Sequence, residues 1–515
     1  MQVINLKLES NIKEEMLEAI YGTVERLEQK VDELSASPKN TEAESTPVSV
    51  SVDTSKLEKD ILAMAVKEGE AIDKLVRLRE AICIFTDLTK KEASKDEQRS
   101  KLLFDTINQV KQELNATSKN VQDKLHSMDN TPLKKVVDAL RGFAVMAILL
   151  VHNLEHFIFP VYPESSPEWL SILDAGVFNA VFSLFAGKSY AIFALLFGFT
   201  FYIQSHNQQL KGKDFGYRFL WRLVLLAGFA TLNAAFFPAG DVLLLFVVVG
   251  IILFIVRKWS DKAILITAIL FSLQPIEWFH YIMSLFNPAY TLPDLNVGAM
   301  YSEVADYTKN GTFWEFLIGN VTLGQKASLF WAIGAGRFLQ TAGLFLFGLY
   351  IGRKELFVTS ESHLKFWTKA LIIAAISFAP LYSLKEQIMQ SDSSLIQQTV
   401  GTAFDMWQKF AFTIVLIASF ILLYQKAKFQ KTVSNLRFYG KMSLTNYITQ
   451  SIMGAIIYFP FGFYLAPYCG YTLSLIIGII LFLLQVQFCK WWLSKHKQGP
   501  LETIWHKWTW LGAKK

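Results

Sequence analysis

Arg141 and His152 stand eleven residues apart in the segment DALRGFAVMAILLVHNLEHF. Eleven residues is close to three helical turns, so both side chains lie on one face of a helix. Asp138, Glu155 and His156 fall within about 60° of that face. The outcome is a polar line, Asp138–Arg141–His152–Glu155/His156, on a helix that is otherwise apolar all round. A guanidinium holds anions, and a neutral imidazole takes up a proton near neutral pH. Charge inside lipid is expensive, so these groups are expected to face a cavity or a partner. The alternative is that Arg141 reaches headgroups and His152 bonds a neighbouring helix.

Further candidates lie downstream. Arg218 and Arg222, four residues apart, share a face and suit an anionic group such as a phosphate, or serve as basic anchors. Asn233 and Asp241 bracket the turn FFPAGD, and Arg337 in GAGRFLQTAG sits near the middle of its apolar segment, where it needs an acceptor. Glu277, His280 and Asp405, with Lys409 one turn on, are the candidates to partner it or to line the same cavity. The segment MSLTNYITQS (442–451) carries Asn446 and Gln450 among other polar residues, which serve a site or hold helices together. Three cysteines, Cys83, Cys469 and Cys489, have neither disulfide-framework nor zinc spacing, and no metal or tightly bound cofactor is expected.

The elements that carry these residues follow from composition. The chain has 515 residues, 52% hydrophobic and 18% charged, with a mean hydropathy of +0.30. A soluble domain carries about a quarter charged residues. The average hides two different regions. Residues 1–130 hold 19 Lys/Arg and 25 Asp/Glu but three aromatics, whereas 131–515 hold 31 basic and 19 acidic residues and 70 of the 73 aromatics. A wholly soluble enzyme, a disordered chain and a fibrous protein are excluded for the larger part.

Ten apolar stretches, each long enough to cross about 30 Å of hydrocarbon, recur at 136–158, 175–205, 216–236, 241–257, 262–285, 327–352, 365–383, 403–425, 443–465 and 471–494. The second is too long for one span and is expected to break near Gly187-Lys188. The segments KGKDFGYR, RKWSDK, RKELF, QKAKFQK and the tail from Lys490 are Lys/Arg-rich and fall on one side. The positive-inside rule makes that side cytoplasmic. The expected fold is all-α: a polytopic inner-membrane bundle of about ten transmembrane helices over 131–515, with both termini cytoplasmic. Nucleic acid is not an expected partner.

In front of it, Leu17, Ile20, Val24, Leu27, Val31 and Leu34 recur at three- and four-residue spacing, so 1–34 reads as an amphipathic or coiled-coil helix. Residues 35–54 read as a flexible linker and 55–130 as a soluble helical region. The N-terminus lacks the pattern of a signal peptide. This region is expected to dock, space or oligomerise.

Six segments in order, DALRGFAVMAILLVHN, GKSYAIFALLFGFTF, YRFLWRLVLLAGFATLNAAFFPAGDVL, GRFLQTAGLFLFGLYIGRKELF, YGKMSLTNYITQS and GPLETIWHKWT, resemble the bacterial YeiB-like family, domain of unknown function 418, over about 136–512. That family is placed among transmembrane acyltransferases, with lysosomal heparan-α-glucosaminide acetyltransferase and the acyltransferase-three O-acyltransferases. The chain departs from the YeiB-like pattern at His152, where Asn is common, and at His506 and Lys441, where Arg is usual. The Arg-x10-His spacing is similar to the O-acyltransferase motif, whose His is the base.

The resemblance implies acyl transfer from a cytoplasmic acyl-CoA, most plausibly acetyl-CoA, to a hydroxyl or amine of an envelope glycan, lipid or small metabolite. Under it, His152 is the base, Asp138 orients Arg141, and Arg141, Arg218 and Arg222 hold the donor's phosphates. Arg337, Asn446 or Gln450 would stabilise the oxyanion. Two other readings stay open: a transporter or channel for a small anionic solute, and an inactive membrane receptor or scaffold that assembles a partner or a homo-oligomer through 1–130.

Overall fold

A computed structural model describes residues 132–511, and among these every regular element is helical. The expected seam at 17–34, the linker at 35–54 and the helical region at 55–130 lie outside the described residues. Helix α1, Pro132–Glu155, is 78% buried across its apolar window and forms the centre. Around it run α2 (Glu168–Phe185), α3 (Lys188–Gln209), α4 (Gly216–Ala235) and α5 (Leu243–Val256). Next come α6 (Asp261–Ser272), α7 (Pro275–Phe286), α8 (Val297–Asn310), α9 (Phe313–Gly319), α10 (Gln325–Gly334) and α11 (Arg337–Arg353). The chain continues through α12 (Glu361–Met389), α13 (Thr402–Leu423), α14 (Ala427–Thr432), α15 (Ser434–Lys441), α16 (Ser443–Tyr458), α17 (Tyr471–Lys495) and α18 (Pro500–Thr509).

Helices in lipid gain little from burying apolar side chains, so close backbone approach must supply packing. Two glycine pairs provide it. An ideal Cβ on Gly198 of α3 would lie 2.0 Å from the Phe345 carbonyl oxygen of α11, and one on Gly348 would lie 1.9 Å from that of Leu195. On α1 and α15, a Cβ on Gly142 would lie 2.0 Å from the Leu436 oxygen, and one on Gly440 1.9 Å from the Asp138 oxygen. Both contacts exist because the side chains do not.

The surface is inverted relative to a soluble protein. Ile376 (71% exposed) on α12, Leu483 (59%) on α17 and Phe286 (82%) on α7 face outward, whereas Asn233, Gln450 and Ser451 are enclosed. That is the distribution lipid imposes. Five helices are long and apolar enough to cross a membrane, or seven when two bent pairs are each taken as one span.

Several of the ten expected stretches are shorter or bent, for local reasons. The 241–257 stretch becomes a 14-residue helix because Asp241 caps its start. The 443–465 stretch yields a 16-residue helix rich in buried polar groups, and α4 carries Arg218 and Arg222. The 262–285 stretch is bent by 48° at its break, and the pair ending in α11 by 79°. The expected interruption of 175–205 is present: Ala186 is extended and Gly187 has φ 75°, ending α2 and restarting the chain as α3.

The basic loops gather at one end. Arg257 pairs with Asp214 at 3.3 Å, and Arg353 bonds Asp261 at 3.0 Å and the Trp259 carbonyl at 2.6 Å. The start of α1, the tail helix α18 and the start of α16 lie with them: Arg218 donates to the Thr509 carbonyl, and Glu502 accepts from Leu444.

Candidate functional site

His152 lies near the end of α1 remote from those loops. It is 8% exposed and faces protein, not the outer surface. The Gln450 amide nitrogen of α16 sits 3.3 Å from His152 Nδ1. Phe237 covers the imidazole with a centroid separation of 4.4 Å, Tyr447 lies at 5.9 Å, and His156 at 5.7 Å. The Pro-Ala-Gly turn after α4 approaches from the other side, where an ideal Cβ on Gly240 would lie 2.9 Å from His156 Nδ1.

Asp241 belongs to the same region. Its carboxylate accepts Asn233 Nδ2 at 2.9 Å and the backbone N–H groups of Leu243 (3.3 Å) and Leu244 (3.1 Å), which anchors the start of α5. Asn233 Oδ1 in turn accepts Ser451 Oγ at 2.8 Å. Helix α16 therefore presents Gln450 to His152 and Ser451 to the Asn233–Asp241 pair. Tyr447 lies one turn earlier on the same helix. Gln450 Oε1 has no hydrogen-bond partner, and the Tyr447 hydroxyl, which accepts from the Val242 N–H, has no acceptor for its own proton. Buried polar atoms are normally paired, so this cluster retains donor and acceptor capacity for a further group.

At the opposite end of α1, Arg141 donates to Asp138 at 2.9 Å and to Thr200 Oγ1 of α3 at 3.1 Å. Lys134, Arg437 and Lys441 act electrostatically on the same carboxylate. With a rise of about 1.5 Å per residue, the eleven residues to His152 amount to roughly 16 Å. The two ends of the polar line are thus separate groups on one helix.

Arg218 and Arg222 meet α18. Arg218 Nη1 donates to the Thr509 and Leu511 carbonyls, both at 3.2 Å, and Arg222 Nη1 donates to Thr509 Oγ1 at 3.2 Å. The Arg222 guanidinium lies 4.0 Å from the Trp505 ring, whose indole donates to the Arg222 carbonyl at 3.1 Å. Asn446 joins α16 to its neighbours, donating to the Tyr439 carbonyl at 2.9 Å and lying 3.3 Å from Cys489 Sγ. Cys469 and Cys489 are both buried free thiols, and no metal-holding group of His, Cys, Asp and Glu occurs among the described residues.

Arg337 opens α11. It donates to Gln340 Oε1 at 2.7 Å and lies 5.2 Å from the Tyr190 ring. Of its expected partners, Asp405 acts on it electrostatically while paired with Lys409, and His280 instead meets the Tyr290 hydroxyl at 2.5 Å. The structure also adds residues that spacing did not single out. Lys188 follows the noted Gly187 break, and Glu502 lies within the GPLETIWHKWT motif; each had a local signal, though not one that specified a partner.

Fold and burial define a helical membrane protein with a polar interior. Residues 351–512 match the family described as "Protein of unknown function (DUF418)". YxaH of Bacillus subtilis is 25% identical over 408 residues, covering 73% of this chain and 94% of the relative. YeiB of Escherichia coli is 24% identical over 402 residues, covering 72% and 95%. A 39.9 kDa protein from the amylase 3' region of Bacillus acidopullulyticus is 23% identical over 382 residues, covering 72% and 92%. The membrane part of the chain is thus similar to YxaH and YeiB along most of their length, and its residues 351–512 resemble the DUF418 family. No solved structure matches it.

Proposed function

We propose that the protein is an inner-membrane acyltransferase that moves an acyl group from acyl-CoA to a hydroxyl or amine of an envelope or small-molecule acceptor. The observation that carries this reading is His152, buried and held at Nδ1 by Gln450, with the Tyr447 hydroxyl, whose proton has no acceptor, beside it. When the Gln450 amide turns its oxygen to Nδ1–H, His152 Nε2 keeps its lone pair. It then takes the acceptor's proton as the acceptor attacks the thioester carbonyl. The new acceptor–acyl bond forms, the carbon–sulfur bond breaks, and the proton passes from His152 to the departing thiolate. The Tyr447 hydroxyl is suited to donate to the transient oxyanion. Arg141, oriented by Asp138, is the charged group at the other end of the same helix for the donor's phosphates. Both termini are cytoplasmic in this reading, because the basic loops share one end. Residues 1–130 offer a place for self-association or a protein partner.

The test is direct. Purified protein is mixed with radiolabelled acetyl-CoA and membrane extract, and label is followed into lipid, glycan and small-molecule fractions. Wild type transfers label and His152→Ala does not. Equal transfer by both removes His152 from the reaction, and transfer by neither ends the reading.

One observation favours a second reading, transport of a small anion. The 79° bend between Gly334 and Arg337 leaves α11 as a half-helix that begins at Arg337, a feature of transporter sites. Uptake into proteoliposomes that depends on Arg337, with no label transfer, selects it.

A further inference from the structure

We propose that Lys188, Arg337 and Lys409 form a binding site for a single oxyanion group, carboxylate or phosphate, separate from His152. The three cations come from α3, α11 and α13. They converge on Gly187, where an ideal Cβ would lie 3.3 Å from Arg337 Nη2 and 3.0 Å from Lys409 Cδ. Lys188 is the next residue in the chain. One carboxylate, Asp405, enters this group, and it is paired with Lys409. No carboxylate lies within ion-pair distance of Arg337 or Lys188 among the described residues. Lys385, the other cation acting on Lys188, is matched by Glu386 at 2.9 Å.

With the four central groups ionised, the cluster carries a surplus of positive charge in a membrane interior. Arg337 is 9% exposed and Lys188 6%. Buried charges are normally paired. The Lys188 ammonium is partly satisfied by the Ser183 carbonyl at 2.9 Å, and Arg337 by the Gln340 amide oxygen at 2.7 Å. These neutral acceptors leave the surplus in place.

Two further features favour an anion. Helices α3 and α11 both begin here, at Lys188 and Arg337, so the unspent N–H groups of two first turns add positive potential. Gln340 Nε2, on a side chain 5% exposed, has no hydrogen-bond partner and belongs to the amide that already touches Arg337. It is a donor waiting for an acceptor.

The test uses the full chain in neutral detergent, with thermal unfolding followed at constant ionic strength in inorganic phosphate, acetate or chloride. A second arm compares nanodiscs of phosphatidylcholine with and without phosphatidylglycerol. Phosphate or acetate is expected to raise Tm saturably over chloride. Arg337→Gln weakens the apparent affinity at least tenfold, and Asp405→Asn, which removes the carboxylate, tightens it at least tenfold. Protection by phosphatidylglycerol alone, lost in Arg337→Gln, identifies the same oxyanion as a lipid headgroup. No anion-dependent shift in either arm, or an affinity unchanged by Asp405→Asn, overturns the site. If Arg337→Gln does not fold, Asp405→Asn decides. Label transfer by His152 is measured separately, so failure here leaves that reading intact.

Discussion

Glu502 holds the start of α16 through Thr445. Its carboxylate accepts the Thr445 hydroxyl at 2.6 Å and the Thr445 N–H at 3.0 Å, and it also takes the Leu444 N–H at 2.7 Å. The helix has no side-chain cap of its own at Met442, so a residue from the tail supplies one. Glu502→Ala leaves these donors unmet and is expected to cost about 1–3 kcal/mol. A fall in Tm of the detergent-solubilised protein measures it, and an unchanged Tm refutes the capping role.

The same carboxylate gives a pH signature. Burial pushes the Glu502 pKa above the ordinary glutamate value, against the downward pull of its hydrogen bonds from Thr445 and Leu444. A folded-state pKa raised above the unfolded one means that folding favours proton uptake. This contribution is full below the unfolded pKa and is lost as pH rises through the folded one. Between about pH 7 and about pH 5, wild type should therefore gain Tm relative to Glu502→Gln. A difference that stays flat or grows the other way contradicts the assignment.

Gly348→Ala forces a methyl group against the Leu195 carbonyl, while Gly228 on α4 has nothing within 4 Å of its ideal Cβ. The first substitution should destabilise by about 1–3 kcal/mol or more. Gly228→Ala should be neutral or stabilising by up to about 1 kcal/mol. Thermal unfolding of the two variants side by side separates close packing from general intolerance of glycine replacement.

Arg222→Lys keeps the charge but loses the flat guanidinium that lies on Trp505. About 0.5–2 kcal/mol of that contact should go. Limited proteolysis should then cut within 500–511 faster than in wild type; an identical cleavage rate means that Arg222 does not hold the tail.

For the proposed transfer reaction, His152→Gln should lower kcat roughly 10²–10⁴-fold, the contribution typical of a general base. Gln450→Leu acts through His152. It should lower kcat with little change in KM and shift the pH profile, a change that loss of packing alone would not produce.

Local relations were legible in the sequence, and long-range ones were not. Helical spacing puts Asp138 three residues from Arg141 and Asp405 four from Lys409, and both pairs form. The Gly187 break was legible because glycine and a polar residue interrupt an apolar run. Spacing is silent on what a side chain meets across the bundle: Gln450 reaches His152 from 298 residues away. Arg218 and Arg222 share a face as their spacing requires, yet α18 lies against that face. Hydropathy also runs neighbouring helices together, since it registers apolar residues and not the Asp241 contacts or the bends at Gln274 and Gly336 that divide them.

The bond from Arg222 to Thr509 has a consequence in time. The two residues are separated by 287 positions, so during synthesis the arginine enters its helix long before its acceptor has been made. Until residues 500–511 emerge, that guanidinium must be hosted by water, headgroups or the insertion machinery. The contact that locks α18 to α4 can therefore form only after the other described helices have been synthesised.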